Sequence, residues 1–169
     1  EGTDVATVGE GYVSVTPVGI DLTAYVLLER LQQLDTLAGL RPGEGALDPC
    51  CGSGTLLAEA AASGARAVGG DTDPEAVAAC AANLRALGAG GGLARWDARR
   101  LPLREACIGA AASNLPWGRQ VESRGPLPEL HRGVVRELAR VLAPGARAAL
   151  LTASPELVSC DALREEGRR

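Results

Sequence analysis

Apolar positions along the chain switch between two periods. "YVSV" (Tyr12–Val15) alternates as a short half-buried strand does. From Asp21 onward Ala24, Leu27, Leu28, Leu31 and Leu34 recur at helical spacing, and "RPG" (Arg41–Gly43) ends that segment. "GALDP" predicts a strand, "CCGSGT" a glycine turn, and "LLAEAAASG" a helix stopped by Gly64. "RAVGG" (Arg66–Gly70) is the next strand and leads into the best-signalled helix. There Asp73 is the expected N-cap, Pro74 fits the first helical position and Glu75 complements the dipole. Val77, Cys80, Ala81 and Leu84 form its apolar face, and Gly88 ends it. "GLARW" predicts a third strand. "ACIGAAAS" (Ala106–Ser113) predicts a fourth, although Gly and Ala are weak strand formers. A helix from about Pro128 to Leu142 carries Leu130, Val134, Leu138, Val141 and Leu142 on one side. "ARAALLTA" follows as a fifth strand, and from Ser154 a last helix runs into charge.

Strands alternating with crossover helices predict an α/β fold, a doubly wound and mostly parallel sheet with helices on both faces. Composition is consistent with one such domain. The 169 residues are 46% hydrophobic and 22% charged, which is globular rather than disordered. Phe, Met and Lys are absent, so the core must be built from Leu, Val and Ala. A net charge of −4 provides no broad basic field for nucleic acid, although a local Arg cluster could still serve. The five cysteines show no CxxC spacing, and with one His there are few ligands for a zinc site. We read the cysteines as reduced, small buried residues of a cytoplasmic protein. No signal peptide or membrane-spanning run is visible, and the start at Glu1 without Met suggests a fragment or processed chain.

"LDPCCGSGTLL" sets Gly52 and Gly54 between a strand and a helix, where backbone can approach a ligand and helix N–H groups meet an anion. A dinucleotide fingerprint would need a third glycine at Leu57, and a phosphate-binding P-loop would need the absent Lys. Asp71 directly follows the second strand, nineteen residues after Gly52. A carboxylate there can accept both hydroxyls of a ribose; the plainer alternative is an Asp that caps the strand end, a role Asp73 already fills for the helix. Asp97 follows the third strand on the same sheet edge. It could bond an adenine amino group or simply pair with Arg99 and Arg100. "SNLPWGRQ" (Ser113–Gln120) then puts Pro116 where regular structure must end, and carries Asn114 and Trp117 on a loop at a strand's carboxyl end. A turn with an anchoring Trp is the bland reading of that loop taken alone. His131 lies on a predicted helix without a recognisable partner and reads as packing or surface.

Taken together, "LDPCCGSGTLLAEAA", "GGDTDPEAVAACAANLRALG", "WDARRLP" and "SNLPWGR" resemble class I S-adenosylmethionine-dependent methyltransferases in order and spacing. More narrowly, the chain resembles the catalytic domain of the THUMP-domain tRNA guanine-N2 methyltransferases. The resemblance implies a Rossmann-like sheet and S-adenosyl-L-methionine as cofactor. It implies that Asp48, with Cys50 beside it, meets the methionine end; that Gly52 and Gly54 line its path; that Asp71 holds the ribose; and that Asp97 addresses adenine. The sulfonium methyl would point towards Asn114, Leu115, Pro116 and Trp117. The Asn114 side-chain oxygen and the Leu115 carbonyl would then accept the hydrogens of an exocyclic amine. Pro116 would fix the loop, Trp117 would stack on a flipped base, and Arg119 would contact a nearby phosphate.

The chain also departs from that family. No THUMP region fits before Asp21, so we divide it into a lead-in segment (1–20) and a catalytic domain (21–169). RNA capture would then depend on a missing region or a protein partner. After Thr152 no strand-like sequence offers the antiparallel hairpin that class I domains carry. Three readings stay open: a tRNA guanine-N2 methyltransferase, an adenine-N6 or protein-glutamine methyltransferase, and a cofactor-binding scaffold without turnover.

Overall fold

Among the described residues, seven strands form one sheet in the order β1-β2-β7-β6-β3-β4-β5. They are Asp4–Val8 (β1), Gly11–Pro17 (β2), Gly45–Asp48 (β3), Arg66–Asp71 (β4), Gly91–Arg95 (β5), Ile108–Asn114 (β6) and Leu142–Thr152 (β7). Three helices are described with them: Thr55–Ala62 (α1), Pro74–Ala86 (α2) and Leu127–Val141 (α3). This computed structural model describes the backbone of residues 4–8, 11–17, 40–116 and 127–152, and the side chains of 40–116 and 127–152. The helices expected after Asp21 and after Ser154 lie outside the described residues, as do Trp117 and Arg119.

From β2 to β5 every neighbouring pair is parallel; β1 pairs antiparallel with β2. Register explains how the two faces divide. Leu47 pairs with Val68 and Ala111, and Ala111 pairs with Ala148, so these side chains share one face. There they pack against Val134, Val135, Leu138 and Val141 of α3. On the opposite face Ala46, Ala67 and Gly69 leave room for α1 and α2 to sit close. Leu57 of α1 occupies the space a Gly69 side chain would fill, and Leu84 and Cys80 of α2 pack over Ala67. The sheet is therefore doubly wound, as the alternation of periods predicts.

Several local expectations hold to the residue. Asp73 caps α2 by accepting from the Glu75 amide at 2.8 Å, with Pro74 at the first position. Gly88 turns the chain out with φ of 67°. Other elements differ. β7 starts at Leu142, directly after α3, because Leu142 already pairs with Ile108. The lead-in segment supplies two strands rather than one short one, and β2 lies parallel to β7 along its edge. Of the cysteines, Cys51 and Cys80 are buried as expected, but Cys107 is exposed just before β6 and donates to the Arg104 carbonyl at 3.0 Å. Among the described residues no helix is long and apolar enough to cross a membrane.

Candidate active site

Strand order reverses about β3: β4 and β5 follow on one side, β6 and β7 on the other. Open α/β sheets bind ligands at such a switch point, outside the carboxyl ends of the strands. Asp48 ends β3, Asp71 ends β4, Asp97 follows β5, and Asn114 ends β6. The fold thus brings the four sequence-predicted polar positions to one edge of the sheet.

Asp48 is buried, with 3% of its surface exposed. Its Oδ1 accepts from the Cys50 amide at 3.1 Å and from the Ser113 hydroxyl at 2.7 Å. Loss of hydration outweighs those two bonds, and the negative Asp71 adds to it, so the carboxyl is pushed up to about 7. Asp71 is half-buried and fixes the turn after β3. Its Oδ2 accepts from the Gly52 amide at 3.1 Å, and its Oδ1 accepts from the Asp73 amide at 3.1 Å. Gly52 has φ of 50°, and a side chain built there would meet nothing within 4 Å, so the turn borders open space. Gly54 has φ of 88°, but its missing side chain is the space that Cys80 occupies. Its role in this fold is close packing of α1 on α2.

Asp97 is held by Arg99 through a two-pronged ion pair, with Nε at 3.0 Å from Oδ1 and Nη2 at 2.6 Å from Oδ2. Arg99 keeps its carboxyl below the usual carboxylate range. The pair is about a third exposed on each side, so it is worth about 1 kcal/mol or less. Asn114 is exposed at the tip of β6. The next residue continues the ladder, its amide donating to the Leu151 carbonyl at 2.9 Å, while the Leu115 side chain is 1% exposed in the core beside α3.

Residues 32–168 match the RMKL-like methyltransferase domain family, more than half of the chain. The chain belongs to that family. Its domain is that of an S-adenosylmethionine-dependent methyltransferase. A curated relative from Mus musculus, tRNA (guanine(6)-N(2))-methyltransferase THUMP3, is 30% identical over 128 residues, 66% of this chain and 25% of that protein. The Bos taurus protein of the same name is 30% identical over 132 residues, covering 69% and 26%. The chain thus spans about a quarter of the length of these relatives. Among solved structures, TrmN from Thermus thermophilus superposes with a TM-score of 0.63 at 36% identity, covering 76% of this chain and 39% of that one.

The cofactor of this class is S-adenosyl-L-methionine, and the residues of the switch point fit it. The turn at Gly52 borders open space that a side chain would enter, and Asp71 stands beside it, half-exposed at a strand tip. An adenosine ribose needs such an acceptor, and a methionine end needs approachable backbone. The Cys50 amide donates to Asp48 and orients it, and the Cys50 side chain beside it is half-buried.

Three residues that the sequence does not mark as part of the site also shape this edge. Ser113 joins β6 to Asp48 across the switch point. Trp96 is buried and donates from Nε1 to the Pro49 carbonyl at 2.9 Å, bracing the glycine turn from β5. His131 of α3 is 1% exposed, with Nε2 3.2 Å from the Pro116 carbonyl. The packing reading of His131 holds, and its ring has a partner in the loop after β6.

Proposed function

We propose that the domain transfers the methyl group of S-adenosylmethionine to the N2 exocyclic amine of a guanine in tRNA. The observation that carries this reading is the tip of β6. There Asn114 is exposed, one residue after the Ser113 that bonds Asp48 at the end of β3, and the following Leu115 is anchored by backbone and side chain. An exocyclic amine is a poor nucleophile because its lone pair is delocalised into the base. Two fixed acceptors on its hydrogens favour the pyramidal amine and aim its lone pair. The Asn114 side-chain oxygen and the Leu115 carbonyl are those acceptors in this proposal. An amide is too weakly basic to act as general base, so the proton leaves to water after transfer. The bound cofactor supplies an electrophilic methyl on a sulfonium.

Asp71 holds the ribose hydroxyls, Asp48 addresses the methionine end, Gly52 lines the path and Asp97 meets adenine by giving up its partly exposed pair with Arg99. Trp117 stacks on the base and Arg119 contacts a phosphate. The choice of guanine N2 in tRNA is supported by the Leu115 that follows Asn114 and by the names of the two mammalian relatives. A net charge of −4 leaves most of the RNA affinity to a basic region or partner acting with this domain.

Incubation of the protein with tRNA and methyl-labelled S-adenosylmethionine, followed by nucleoside mass spectrometry, tests the reading. Labelled N2-methylguanosine is expected. Label in N6-methyladenosine, or in glutamine of a protein fraction, would replace this acceptor with another amine. Absence of transfer with both the cofactor and tRNA bound would leave a scaffold.

A further inference from the structure

We infer that His131 is a positioning residue that holds the loop after β6 by gripping the Pro116 carbonyl. The inference rests on the proposed role of Asn114 and Leu115, and adds a residue to it. Beyond Leu115 the chain leaves the sheet, and Pro116 has no N–H with which to continue the ladder. Its carbonyl is therefore the next point at which the backbone can be held. His131 provides that hold from α3, 15 residues on, at 3.2 Å. A carbonyl can only accept, so the ring nitrogen Nε2 carries the hydrogen and donates it.

The donor is itself held firmly. His131 is 1% exposed, on a fifteen-residue helix whose Val134, Val135 and Leu138 are buried in the main core. Leu115 packs into that same core. The Asn114–Pro116 segment is thus fixed at the Leu115 amide, the Leu115 side chain and the Pro116 carbonyl. The Leu115 carbonyl, one of the two proposed amine acceptors, lies between the last two of these. Misplacing an acceptor by about 1 Å can cost a hundredfold in rate. His131 would act through this geometry and without touching the cofactor.

The chain contains a single histidine, so histidine labelled with nitrogen-15 gives signals from this residue alone. In the unaltered protein Nε2 is expected to be the protonated nitrogen, with a slowly exchanging proton; an unprotonated Nε2 would overturn the inference. Its role is then read from His131→Leu, which fills the space without a donor, and His131→Gln, which keeps an N–H near the ε position. With S-adenosylmethionine affinity unchanged, kcat for methyl transfer to tRNA should fall about tenfold to a hundredfold in the Leu variant and return to within a few-fold in the Gln variant. An active parent whose folded Leu variant turns over normally, or whose Gln variant is no better than Leu, overturns this inference alone. A parent that binds cofactor but transfers no methyl group to tRNA contradicts the function proposed above.

Discussion

The Ser113 hydroxyl donates to Asp48 Oδ1 at 2.7 Å, joining the tip of β6 to the tip of β3 across the switch point of the sheet. Ser113 directly precedes Asn114, so the proposed acceptor loop and the proposed cofactor turn share one buried bond. Removing the hydroxyl leaves Asp48 with the Cys50 amide as its remaining partner on that oxygen. Ser113→Ala should destabilise the domain by about 1–3 kcal/mol. Urea unfolding of the variant against the parent measures this; an unchanged midpoint would show that the bond contributes nothing.

Asp48 also predicts a pH dependence. Burial holds its carboxyl up to about 7, whereas the unfolded chain releases the same proton near pH 4 (roughly). Between those values the folded state binds more protons than the unfolded state, so this contribution is full below about pH 4 and is lost as pH rises towards 7. Stability should fall by up to roughly 1.4 kcal/mol per pH unit across that window, and no further above it. Asp48→Asn keeps an acceptor for Ser113 and Cys50 but cannot ionise. Its unfolding free energy should be flatter from pH 5 to 7 than the parent's, and an identical slope would remove Asp48 as the cause.

The two glycines of the turn should separate folding from binding. Gly54→Ala forces a side chain into Cys80 at a φ of 88°, and should cost about 2–5 kcal/mol. Gly52→Ala carries only the strain of φ 50°, about 1–2 kcal/mol, because nothing lies within 4 Å. The second variant should stay folded and bind S-adenosylmethionine more weakly, since its methyl group enters the open space beside the turn. Thermal melts and calorimetry on the pair check both halves, and normal cofactor affinity in Gly52→Ala would exclude that space as the binding path.

Local chemistry made much of this legible in the sequence. Asp73, Pro74 and Glu75 start α2 because capping and dipole effects depend on neighbours in the chain, and the periods of apolar residues gave the fold class. What joins the site is not local. The Ser113–Asp48 bond spans 65 residues, Trp96 to Pro49 spans 47, and no spacing rule connects them. Gly54 has the look of a ligand-lining glycine in sequence, yet Cys80 of the neighbouring helix explains it. The parallel pairing of β2 with β7 was equally invisible, because it joins the two ends of the described chain. Asp97 kept two readings open, and the structure realises the pair with Arg99.

The division of labour between Asp71 and Asn114 is the centre of the account. Calorimetric titration of S-adenosylmethionine into the parent, Asp71→Ala and Asn114→Ala proteins tests it most directly. The parent should bind. Asp71→Ala should lose about a hundredfold in affinity or more, the worth of two charge-assisted hydrogen bonds of roughly 1.5 kcal/mol each. Asn114→Ala should bind as the parent does while transferring no methyl group. A parent that does not bind, or an Asn114→Ala protein that loses affinity as Asp71→Ala does, would contradict the assignment of cofactor to the turn and of chemistry to the loop.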